Sequence, residues 1–177
     1  MKEIRPLRAD EIEVRVGTVG AKGVTMLLYK NARVDMAILD ETYGAENWQR
    51  DHKEVKGNLY CGIGIWDDKK QCWIWKWDCG TESNTEKEKG EASDSFKRAG
   101  TNWGIGRELY TSPFIFLPVA TVEYKQGNYT KYKLHNPKEL YGIKVKELKI
   151  EKKDGVNTIT HLVLAQDDRE VWKSKDK

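Results

Sequence analysis

The chain has 177 residues, 33% of them charged, and a formal net charge of +3. That length supports a real core, while so mild a basicity does not demand a nucleic-acid partner. Any such surface has to be concentrated locally by folding or by assembly. No apolar run reaches the length of a membrane span, and no N-terminal stretch has the apolar core of a secretory signal. A cytoplasmic protein without membrane contact is expected.

In chain order, Arg8 to Arg15 mixes apolar and charged residues and fits either a short helix or an entering strand, with Asp10 as a possible cap. Three glycines and a lysine make Gly17 to Gly23 a predicted loop, and Val24 to Tyr29 a strand. A helix is predicted from about Asn31 to Tyr43, because Val34, Ile38 and Leu39 recur at helical spacing and Gly44 ends the pattern. Three strands follow: Trp48 to Lys56, a polar edge; Leu59 to Trp66; and Cys72 to Cys79. Gly57-Asn58 turns the first into the second.

Strand alternation sets Cys61, Ile63 and Ile65 against Gly62, Gly64 and Trp66. It also puts Trp73, Trp75 and Trp77 on one face of the third strand. The two glycines leave room for bulky cross-strand neighbours. Which face receives the following helix is open, since both are partly apolar. The seven tryptophans and eight tyrosines either fill a core, the default, or offer stacking surfaces to nucleobases. Gly80 to Asn84 reads as a loop, and Thr85-Glu86-Lys87-Glu88 has the spacing of a capping box.

The stretch Lys89 to Tyr110, KGEASDSFKRAGTNWGIGRELY, carries the strongest pattern. At 100° per residue, Ala92, Ala99, Gly100 and Trp103 share a side with Phe96, while Asp94, Lys97, Arg98 and Thr101 fall away from it. Gly104 and Gly106 stop the helix and Arg107 follows at once. Lys97, Arg98 and Arg107 thus form either an ordinary solvated face or a phosphate-binding row; periodicity predicts the same burial for both. Asp94 reads as an ion-pair partner for Arg98 or Arg107.

Beyond Ser112-Pro113, a short buried segment is predicted at Phe114 to Leu117. Strands then follow at Val122 to Tyr124, Thr130 to Leu134, Ile143 to Ile150 and Thr158 to Ala165, with Asp154-Gly155 as a hairpin signal. Lys173 to Lys177 should fray. Cys61, Cys72 and Cys79 lack CxxC spacing and read as small buried hydrophobes of a reduced protein. His52, His135 and His161 are scattered, so no metal site is expected.

KGEASDSFKRAGTNWGIGRELY resembles the signature of the Rad-fifty-two family of single-strand annealing proteins, in its phage and bacterial stand-alone form. Arg15-Val16, Lys22, Tyr29, Arg33-Val34, Leu39-Asp40, Tyr43-Gly44 and Trp48 follow the order of the family's N-terminal half, so the resemblance covers about Glu11 to Leu117. It implies single-stranded DNA in a basic groove around a ring or arc of protomers. Lys97 and Arg98 match the family's inner-groove pair, and Arg15 aligns with a groove arginine. Thr101 stands where eukaryotic members place another basic residue, with Arg107 as the compensating charge. Lys22, Lys30 and Arg33 are lesser candidates, and Lys69 and Lys70 fit a second, outer DNA contact. Eukaryotic members recruit a recombinase and a single-strand binding protein through long tails; this chain resembles the annealing core alone, with a single-strand binding protein as a candidate partner.

Residues 1–120 are therefore expected to form a single-strand annealing core and 121–177 a β-rich C-terminal extension or subdomain. The expected fold is α+β: an antiparallel sheet packed against a long central helix. No GxxxxGK[ST] loop is present, so no nucleotide motor is expected. The expected function is ATP-independent binding and annealing of single strands in recombination, without catalysis or cofactor. The alternatives are a metal-dependent nuclease, using the Glu-x-Lys fragments at Glu147 and Glu151, and a protein-interaction scaffold.

Overall fold

The computed structural model describes residues 2–80 and 87–175. In chain order these form β1 (Glu13–Gly20), β2 (Gly23–Tyr29), α1 (Ala32–Tyr43), β3 (Trp48–Val55), β4 (Asn58–Asp67), β5 (Cys72–Cys79) and α2 (Lys87–Trp103). There follow β6 (Ile115–Leu117), β7 (Thr121–Gln126), β8 (Tyr129–Leu134), β9 (Lys144–Lys153), β10 (Val156–Gln166) and β11 (Arg169–Lys173). The chain divides into two compact units, Met1–Leu7 with Lys30–Arg107 and Arg8–Tyr29 with Glu108–Lys177. No described helix is long and apolar enough to cross a membrane.

The expected α+β domain, one antiparallel sheet on a long central helix, is corrected by this architecture. Half the chain is strand and 23% helical, with two α-helices among the described residues. The strands fall into sheets of six, three and two. Nor are the C-terminal strands a smaller extension: β9, β10 and β11 join β1, β2 and β6 in the largest sheet. The capping box at Thr85 and most of the Gly80 to Asn84 loop lie outside the described residues.

In the first unit, Asn31 caps α1 by accepting from the backbone N–H groups of Arg33 and Val34 at 2.9 and 3.3 Å, and Gly44, at φ 89°, closes it. Val34, Ile38 and Leu39 are buried. Strands β3, β4 and β5 form an antiparallel meander. The first turn falls one residue earlier than expected, on Lys56 (φ 53°) and Gly57 (φ 75°). α2 lies along β4 and β5. It covers the face of Cys61, Ile63 and Ile65, which settles the choice the sequence left open: Phe96, Ala99 and Trp103 are buried, and Trp103 Nε1 donates to the Ile63 carbonyl at 2.9 Å. Cys72, expected to be buried, is exposed at the first position of β5.

The second unit carries the sheet in the order β11-β10-β9-β1-β2-β6, with β7–β8 as a separate hairpin. The predicted loop from Gly17 to Gly23 is instead mostly β1, which runs to Gly20 with an irregularity between Val16 and Val19. Gly17 serves close packing there rather than chain reversal: a Cβ on it would sit 2.9 Å from Leu27 Cγ and Thr25 Oγ1. Asp154 (φ 50°) and Gly155 (φ 80°) make the β9–β10 turn. The predicted fraying from Lys173 is also corrected, because Lys173 ends β11 and Ser174 is buried. The Ser174 N–H donates to the Leu162 carbonyl at 2.8 Å, and its hydroxyl accepts from the Leu162 N–H at 3.0 Å.

Gly80 lets the end of β5 meet the backbone of α2. A Cβ there would fall 2.7 Å from Ser95 N and collide with the Glu91 carbonyl oxygen. Because both obstacles are backbone, Gly80→Ala is expected to lower stability by about 1–3 kcal/mol, read as a lower midpoint in chemical denaturation.

Candidate nucleic-acid interface

The last carbonyls of α2 have no partner further along the helix, and the aligned peptide dipoles leave that end negative. Gly104 and Gly106, at φ 110° and 71°, turn the chain back on itself. Arg107 then reaches its own helix, with Nε on the Thr101 carbonyl and Nη2 on the Asn102 carbonyl, both at 2.8 Å. Lys76, from β5, donates to the same Asn102 carbonyl at 2.9 Å and lies 4.4 Å from the centre of the Trp103 ring. Its pKa is lowered first by burial and then by the Arg107 charge.

Arg98 is exposed on the neighbouring turn, with Nε 3.4 Å from Asp78 Oδ1. Asp78 also accepts from Asn102 Nδ2 at 3.2 Å and from the Cys79 N–H at 2.9 Å, so the carboxylate that steers Arg98 is itself fixed. Lys97 is half-buried. The structure therefore brings Lys97, Arg98 and Arg107 to the C-terminal part of one helix, with Lys76 added. The sequence reading missed Lys76, Asp78 and Asn102. The available signal was the alternation in β5, which places Lys76 and Asp78 opposite the tryptophans and so on the helix side.

Lys30 is not part of this row. It is buried, paired with Asp35, and its ammonium also donates to the Lys97 carbonyl at 3.2 Å. Two motif glycines follow from this pair: a Cβ on Gly100 would collide with Asp35 Oδ1, and one on Gly106 would come within 2.6 Å of Lys30 Cε. Arg33 is exposed in the first turn of α1, and Lys69 and Lys70 are exposed in the β4–β5 turn, where their N–H groups donate to Asp67 Oδ1 at 3.0 and 3.1 Å. Arg15 and Lys22 belong to the other unit. Arg15 is exposed in β1, paired with Glu13 and 5.4 Å from the Tyr29 ring centre; Lys22 is exposed in the β1–β2 turn.

The Glu-x-Lys fragments lie on β9. Glu147 Oε2 is 3.1 Å from His161 Nε2, and Lys149 pairs with Glu151 at 2.8 Å. Among the described residues, no three His, Cys, Asp or Glu side chains gather as a metal-binding group.

Burial raises the Asp35 pKa from 3.8 to about 6, with Lys30 opposing the rise. One carboxylate oxygen, Oδ2, is buried without a hydrogen-bond partner. Asp35→Ala strands the Lys30 ammonium and is expected to cost about 3–5 kcal/mol, most of it recovered in Lys30→Met/Asp35→Leu; denaturant titration checks both. Because the folded state holds the Asp35 proton more tightly than the unfolded chain, this group favours folding increasingly as pH falls through about 6 toward 3.8. Wild type should therefore gain stability relative to Asp35→Asn between pH 7 and pH 5, measured by the same titration.

Comparison of the chain with protein-family models, with curated proteins and with solved structures finds no match.

Proposed function

We propose that this chain is an ATP-independent single-strand annealing protein, working as a ring or arc of protomers in recombination. The observation that carries the reading is the fixed cationic end of α2. Arg98 is oriented by Asp78 and Arg107 by two helix carbonyls, and both remain exposed. Held cations of this kind suit phosphate oxygens, which position a strand without reading its sequence. The resemblance of KGEASDSFKRAGTNWGIGRELY to the annealing-protein signature supports the same assignment.

A strand gripped by its backbone keeps its bases available for pairing, and pairing supplies the free energy, so no nucleotide hydrolysis is needed. One protomer offers only a few cations at this site. A continuous track for a long strand then requires repetition of the protomer, which is why assembly belongs to the proposal.

Lys97→Ala/Arg98→Ala is expected to weaken binding of an unstructured oligonucleotide at least about tenfold while circular dichroism and light scattering stay unchanged. The log-log salt slope should become shallower by about 1.4, at about 0.7 for each of two lost phosphate contacts. Unchanged affinity in the double variant would remove the interface. Magnesium-dependent cleavage that disappears on changing Glu147 or Glu151 would mark a nuclease instead, and binding of an acidic protein but no oligonucleotide would mark a scaffold.

A further inference from the structure

The face of the three-stranded sheet turned away from α2 is paved with indoles. Cross-strand register pairs Trp77 with Gly62, Trp75 with Gly64 and Trp73 with Trp66. A Cβ built on Gly62 would lie 2.6–2.7 Å from three atoms of the Trp77 fused ring, and one on Gly64 2.9–3.0 Å from the same three atoms of Trp75. Three ring atoms nearly equidistant from one point mean that each indole lies face-on over its glycine. The inner ring face is used against the sheet, and Trp66, Trp73, Trp75 and Trp77 are all half-buried. Trp75 and Trp77 overlap like tiles, with centroids 5.5 Å apart and planes 24° apart, while Trp66 and Trp73 meet edge to face at 5.5 Å.

The surroundings decide what such a surface suits. Lys53 Nζ stands 4.3 Å from the Trp77 ring centre. Exposed Lys69 and Lys70 occupy the turn next to the Trp66–Trp73 end, and exposed Lys56 the turn at the opposite end of β4. Against these four cations stand three carboxylates: Asp51, which faces Gly62 across the strands and lies 3.8 Å from Lys53, and Asp67 and Asp68 at the β4–β5 turn, Asp67 holding the Lys69 and Lys70 N–H groups. Flat π-surfaces edged by an excess of lysines match the bases and phosphates of a single strand.

We infer that Trp75 and Trp77, flanked by Lys53, form a stacking platform for the bases of single-stranded DNA, a second contact on the sheet face opposite the α2 cations. Stacking occupies the flat side of a base and leaves its pairing edge free, so the platform is compatible with annealing. The inference rests on the single-strand reading above.

The test compares oligothymidylate with an abasic oligonucleotide of equal length, which keeps the phosphates and removes the bases. Wild type is expected to bind the thymidylate more tightly, with quenched tryptophan fluorescence. Trp75→Leu and Trp77→Leu should each weaken thymidylate binding about 5- to 100-fold and leave abasic binding unchanged, with circular dichroism reporting the fold. Equal wild-type affinity for the two oligonucleotides overturns the platform whatever the variants do. If both leucine variants bind thymidylate like wild type while Lys97→Ala/Arg98→Ala binds weakly, the platform falls and the annealing proposal stands. Leucine variants that change only the assembled mass in light scattering place the indoles between copies of the chain, which also overturns it. If wild type binds neither oligonucleotide, both proposals fall together.

Discussion

The buried ion pair between Lys30 and Asp35 constrains the first unit more than any other contact. Two opposite charges, with side chains 5% and 0% exposed, have left water together. Such a pair contributes little net stability compared with an apolar replacement of the same shape. What it imposes is geometry, because deleting either side chain leaves the other polar group buried without its partner. The ammonium fixes the Lys97 carbonyl as a further acceptor, and the carboxylate occupies the space that a side chain at position 100 would need. α1 and α2 are thus held at one relative position, and the residue whose backbone receives the lysine is the first of the candidate phosphate contacts.

The same economy of cations governs the other end of α2. Lys76 and Arg107 both donate to the Asn102 carbonyl, and Arg107 adds a second bond to the Thr101 carbonyl, which also receives the Gly104 N–H at 3.0 Å; together they offset the negative end of the helix dipole. Inward bonding does not exhaust Arg107. A guanidinium has five N–H donors in a rigid fork, and bonds from Nε and Nη2 leave others directed away from the helix. A lysine in the same position would have no such fixed outward edge. Arg98 differs: its partner is a carboxylate, so a phosphate there competes with Asp78. That competition is mild, since the Arg98 side chain is 48% exposed and water screens the pair.

Local pattern was legible wherever one face meets a core. The period of Val34, Ile38 and Leu39 located α1, Phe96, Ala99 and Trp103 marked the buried stripe of α2, and Cys72 to Cys79 were bounded as a strand. Failures came where tertiary packing overrides composition. Gly17 looks like a loop residue until Leu27 and Thr25 lie across it. Lys30 looks like a surface cation, and nothing in its neighbourhood reveals that Asp35 will meet it out of water. Strand alternation puts Lys76 and Asp78 on the face away from the tryptophans, but their role depends on where the carbonyls of α2 end, which no strand pattern contains. Sheet membership was the largest miss, because pairing of β1 with β9 joins residues far apart in sequence, Glu13 with Lys144.

The glycine–tryptophan pairs of β4 and β5 bear on why that face of the sheet can stay open at all. A sheet face of aliphatic side chains needs a second layer, since each methyl group left in water weakens the unit. An indole laid flat on a glycine buries one whole ring face against backbone and needs no covering layer for that half of its area. β4 supplies glycine at 62 and 64 and, at 61, 63 and 65, the medium-sized residues that α2 requires on the other side. One strand therefore serves two layers of different character: interlocked apolar packing beneath the helix, with Phe96 and Trp103 against Cys61, Ile63 and Ile65, and a thin aromatic pavement outside. On Trp77 the Lys53 ammonium already stands over the ring, 4.3 Å from its centre, so a base stacked on the pavement meets the outer face of Trp75 and shares that of Trp77 with the lysine.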